Sequence, residues 1–83
     1  MKEIKKGCYV KTERISLNVF DVQNGWRLIC DTSYRKPFLI LEKEIGHSFT
    51  FDEDVYFIKI LMDTGVVGWI SYPIHLINYL EDL

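Results

Sequence analysis

The run "VYFIKILM" at residues 55–62 is followed by Asp63-Thr64-Gly65 and then at once by "VVGWI" at 66–70. A run of β-branched, aromatic and aliphatic residues bounded by turn markers is too short for an ordinary helix and suits a strand. Gly65 tolerates the positive φ of a tight reversal, so the segment predicts a hairpin. As the most apolar stretch of the chain, 55–62 is the expected central strand, buried on both faces. A lone hairpin is at best marginal in water, so the rest of the chain has to supply strands that cover this one.

It has the material to do so. No long stretch keeps the i, i+3, i+4 apolar rhythm of a helix, and short β-rich runs alternate with turn residues. "CYVKT" at 8–12 reads as a first strand. "ERISLNVFDVQNG" reads as an extended, partly buried loop or strand in which Phe20 and Val22 fall out of step. Asn24-Gly25 marks a turn. "WRLICD" at 26–31 alternates, with Trp26, Leu28 and Cys30 on one face. "FLILEKEI" after Pro37 is a further strand, Gly46 a bend, and "HSFTF" another alternating segment. "DED" at 52–54 is an acidic connection, "SYPIHL" suits a 3₁₀ turn, and "INYLEDL" reads as a last short strand or a single helical turn. Turns every 8–12 residues predict an all-β barrel or sandwich of five to six short antiparallel strands, spanning residues 1–83 as one domain. Closure into a barrel is expected because so short a chain has little else with which to protect its strand edges.

The 83 residues, 48% of them hydrophobic and 14% aromatic, suffice for one compact core. The formal net charge of −2 gives no basic footprint for nucleic acid over the whole chain. Charge is uneven, however. Residues 1–14 hold five basic against two acidic residues, and residues 42–63 hold six acidic against two basic. "MKEIKKGCYV" lacks the apolar core of a signal peptide, and no run reaches the ~18 apolar residues of a membrane span. The expectation is a cytoplasmic protein, with no membrane contact and with Cys8 and Cys30 as reduced, buried thiols.

Further along, "YFIKILMDTGVVGWISYPIHLINYL" resembles the C-terminal half of an SH3-like (Src-homology 3-like) barrel. The resemblance takes 56–62 as the third strand, 66–70 as the fourth, 71–75 as the 3₁₀ turn and 76–79 as the fifth. "IKKGCYVKT" is similar to the lead-in of the first strand, and "GWRLICDTSYRKPFLILEKE" to the long loop and second strand. The plan resembles small stand-alone SH3-like proteins of phage and bacterial genomes, which implies a host cytoplasm if the chain is phage-encoded. Proline-reading members carry Ala-Leu-Tyr-Asp-Tyr where this chain has "GCYVKT", and Pro-x-x-Tyr where it has "SYPIHLI". These departures argue against polyproline recognition.

No catalytic constellation is visible. Cys8, Cys30, His47 and His75 lie at long irregular spacings, unlike the close pairs that zinc selects, so neither a metal, a cofactor nor an enzymatic activity is expected. Asp52 and Asp54 point to one side of an extended chain without a third ligand. Gly68 permits close backbone approach and Trp69 is expected to cover the barrel end. The leading expectation is a non-enzymatic module that binds a protein partner through Trp69, Tyr72, Pro73, Trp26 and Tyr34. The alternative is nucleic-acid binding by basic residues interleaved with an aromatic, namely Lys5, Lys6, Lys11, Arg14 and Tyr9. Exposed aromatics leave a homo-oligomer open as well.

Overall fold

A computed structural model describes residues 5–12, 16–23, 25–32, 36–49 and 52–82 of the chain. These residues are all-β apart from a single 3₁₀ helix. The elements are β1 (Tyr9–Thr12), β2 (Asn18–Asp21), β3 (Arg27–Asp31), β4 (Phe38–Ser48), β5 (Glu53–Met62), β6 (Val67–Pro73), a 3₁₀ helix (Ile74–Tyr79) and β7 (Leu80–Asp82). All ladders are antiparallel, and the sheet runs β3-β2-β6-β5-β4-β1-β7. Among the described residues the sheet therefore has seven strands rather than five to six. No ladder joins β3 to β7 among the described residues, so the expected closure by hydrogen bonding is not made. The Cα radius of gyration, 11.8 Å, matches the roughly 12 Å of a compact domain this long.

β5 occupies the fourth of seven positions, as its apolarity predicts. Its two faces are unequal, however: Ile58, Ile60 and Met62 are buried in the core, while Phe57, Lys59 and Leu61 on the opposite face are only half-buried. Gly65, at φ +88°, donates its N–H to the Met62 carbonyl (3.0 Å), and Met62 donates to Val66 (2.8 Å), closing the predicted hairpin. Ile70 and Tyr72 of β6 and Phe38 and Ile40 of β4 meet the Ile58–Ile60 row, joined by Val10, Val19, Ile77 and Leu80. Burying each such side chain contributes about 1.5–3 kcal/mol.

β4 is one strand of 11 residues, not two segments broken at Gly46. Its bend comes earlier, where the register with β5 shifts between Ile40 and Glu42 and leaves Leu41 as the extra residue of a bulge. The bulge swaps the strand's faces. Phe38 and Ile40 lie on the core side, whereas Glu44, Gly46 and Ser48 beyond it lie with Phe57 on the other. Gly46 gives the Phe57 ring its room there, since a Cβ would sit 2.5 Å from that ring. The 3₁₀ helix begins three residues later than expected, since Tyr72 and Pro73 still pair with Tyr56 and Val55. The Tyr72 hydroxyl donates to the Leu76 carbonyl (2.8 Å) and holds the helix against the end of β6.

Candidate functional site

The face of β5 and β6 turned away from the core is overhung on one side by the β2–β3 hairpin. The hairpin's base is tied firmly. Thr32 is buried, its N–H donates to the Leu17 carbonyl (2.8 Å), and its Oγ1 accepts from the Leu17 N–H (2.9 Å). The Ser16 hydroxyl also donates to the Thr32 carbonyl. At the tip, the Asp21 carboxylate accepts from the Gln23 N–H (3.1 Å), and Gly25 donates to Val22 (3.1 Å). Gly25 and Trp26 are then both left-handed, at φ +74° and +62°. The left-handed region is common for Gly and rare for a residue as bulky as Trp.

That backbone turn throws the Trp26 indole back across the sheet. Its centroid lies 5.6 Å from Phe57 at 56° and 6.0 Å from Phe20, edge to face at 63°. Both are favourable aromatic geometries, each worth about 0.5–1.5 kcal/mol beyond burial. Gly68 makes the approach of β2 to β6 feasible: a Cβ there would meet Val19 at 2.5 Å and the Phe20 carbonyl at 3.0 Å. Phe20 consequently pairs with Trp69 in the ladder and turns its ring to the outer face.

The result is an open cleft of about 740 Å³ between the β2–β3 hairpin and the β4–β5 turn. Phe20, Trp26 and Phe57 form its apolar part, with Ser16, Asn18, Ser48 and Ser71 as polar groups and His47 and Phe49 at the turn. His47 is held from both ring nitrogens, with Nε2 3.3 Å from Asp52 and Nδ1 3.4 Å from Asp54. Phe49 stands edge-on to that imidazole at 5.4 Å and is 92% exposed. An apolar cleft with a few polar groups can accept an extended, partly apolar ligand. Among the described residues no group of three or more His, Cys, Asp and Glu is arranged to hold a metal ion.

The residues expected to form a partner surface are dispersed. Trp26 lies in the cleft. Trp69 sits between core-facing Gly68 and Ile70, so it points to the outer face opposite Lys59, and it is half-buried there rather than closing the end of the core. Tyr72 is fully buried on the core side. Pro73 ends β6, and Tyr34 lies outside the described residues. Of the basic set, Lys5, Lys6 and Tyr9 are exposed, Lys11 is 3.7 Å from Glu81, and Arg14 is outside the described residues. Cys8 and Cys30 are free and half-buried rather than buried, with Cys30 Sγ 3.8 Å from Met62 Sδ. Phe57, Phe20 and the 47–49 turn are the cleft residues that sequence reasoning missed. The one signal for them was Phe20 itself, out of step with the alternation around it. No helix in the described residues is long and apolar enough to cross a membrane. Comparisons with protein-family models, curated proteins and solved structures find no match to the chain.

Proposed function

We propose that this chain is a non-enzymatic, SH3-like binding module that takes an extended segment of a partner protein into the cleft. The strand order supports the SH3-like reading. Strands β1, β4, β5, β6 and β7 follow one another as five strands of such a barrel, the 3₁₀ helix precedes the last, and β2–β3 falls within the long loop after the first. The observation that carries the binding reading is the row Phe20–Trp26–Phe57, three rings side by side on an open face and clear of the core. Rigid aromatic rings lose little entropy when a ligand covers them, which is why they anchor interfaces.

Selection from a displayed library of random peptides tests this reading. Enrichment of peptides rich in aromatic and other apolar residues is expected, with affinity falling about 30-fold or more in Trp26→Ala, as for an interface hot spot. Tyr9→Ala, an exposed aromatic on β1 away from the cleft residues, should leave the affinity unchanged. A library that yields no binder, or binders indifferent to Trp26→Ala, overturns the proposal.

A further inference from the structure

The sheet is split beside the cleft. β2 and β6 run side by side, yet a single pair, Phe20–Trp69, joins them. Continuing that antiparallel register would bring Asn18 opposite Ser71, and no ladder is made there among the described residues. Both residues instead line the cleft, together with Ser16 and Leu17. The two strands therefore part beyond Phe20–Trp69, and the cleft occupies the gap.

The ladders fix which main-chain groups face that gap. In an antiparallel sheet, successive residues turn their N–H and C=O alternately to one neighbouring strand and to the other. Met62 donates to Val66 across the β5–β6 turn, and the same register continues without a shift as far as Pro73. Even-numbered residues of β6 thus bond to β5, while Trp69, Ser71 and Pro73 turn their groups towards β2. On β2, Leu17 exchanges its bonds with Thr32 on the far side, so Asn18 and Phe20 turn theirs towards β6. Phe20 and Trp69 meet in the one pair that is made. Ser71 offers its N–H and C=O to the gap with no ladder partner there, and Pro73 beyond it has no N–H to offer. Asn18 is exposed to water, whereas Ser71 is half-buried, so the missing pairing costs more at Ser71.

We propose that the partner segment binds by strand addition, its backbone entering the split and pairing with β6 at Ser71. An open stretch of strand is a template for main-chain hydrogen bonds with an extended peptide. Every second side chain of the added strand then falls on the Phe20–Trp26–Phe57 row, which lies on the same face as Ser71. This binding mode rests on the peptide reading of the cleft and deepens it.

The probe is the tightest peptide from the random library whose binding is lost in Trp26→Ala. In the free chain the Ser71 amide should exchange faster than that of Ile70, which is turned to β5. The bound peptide should slow Ser71 about tenfold or more. Replacing the peptide's amides one at a time by N-methyl amides should lower affinity roughly tenfold at the amide facing Ser71 and spare its two neighbours. A Ser71 amide as protected as Ile70 in the free chain overturns the inference, since the edge would not be open. So does a Trp26-dependent peptide that leaves Ser71 exchange unchanged, or that tolerates N-methylation at every position as a ligand held by side chains alone would. The cleft reading survives either of those results. A library without any Trp26-dependent peptide removes both.

Discussion

Two glycines set how closely the strands around the cleft approach, and they differ in what a methyl group would strike. At Gly46 the Cβ of an alanine would press on the Phe57 ring at 2.5 Å, and that ring borders open cleft into which it can swing. At Gly68 it would press on Val19, which is fully buried, and on the backbone carbonyl of Phe20. Neither of those can move without lifting β2 off β6. Gly68→Ala should therefore cost about 1–3 kcal/mol of stability, the range for overpacking a filled site, with Gly46→Ala costing visibly less. Urea denaturation of the two variants checks the order, and equal costs would show that Phe57 is no freer than Val19. The same geometry implies that Gly46→Ala disturbs ligand binding more than stability, because the displaced ring belongs to the aromatic row. Trp26 is the third special position. A left-handed Trp costs about 1–2 kcal/mol relative to an ordinary backbone, offset here by its contacts with Phe20 and Phe57.

At the scale of elements, the hairpin β5–β6 was the most legible part of the chain, because an apolar run, a Gly turn and a returning strand are all local signals. The 3₁₀ helix was legible in kind but displaced. Pro73 was expected at its start and does stand at its N-cap, while still closing β6 opposite Val55. The bulge at Leu41 was not legible, since "FLIL" reads as one apolar strand whether or not its faces exchange midway. The cleft was least legible of all. Its residues come from β2, the hairpin tip, the end of β4, β5 and β6, and only the ladder order brings them together. What fixes the 3₁₀ helix in place is the Tyr72 hydroxyl, buried and donating to Leu76. Tyr72→Phe removes the donor and leaves that carbonyl without this partner, so stability should fall by about 0.5–1.5 kcal/mol. Amide exchange should quicken across 74–79 and scarcely change in β4. Uniform quickening over the whole sheet would mean that the hydroxyl supports the core at large rather than the helix.

At the scale of the molecule, the two ends of the chain are partners. β1 pairs with β7 through Val10–Asp82, Lys11–Glu81 and Thr12–Leu80, and β1 also pairs with β4. The sheet is thus complete only when residues some 70 positions apart in sequence meet. Contacts of such separation cost loop entropy before they return any stability, so folding in the millisecond-to-second range is expected rather than in microseconds. β7 has only three residues, and Leu80 is its buried anchor, packed in the core beneath the 3₁₀ helix. Leu80→Ala should cost about 2–5 kcal/mol. The whole domain is expected to hold only about 4–12 kcal/mol at 0.05–0.15 kcal/mol per residue. One anchor at the seam therefore represents a large share of the total. Because all the elements share a single core, the variant should lose its fold as a unit and not merely shed β7. Far-ultraviolet circular dichroism and the fluorescence of Trp26 and Trp69, followed together through urea unfolding, should report one coincident transition at lower denaturant than in the wild type. Two separated transitions would show instead that the β1–β7 seam opens independently of the hairpins that frame the cleft.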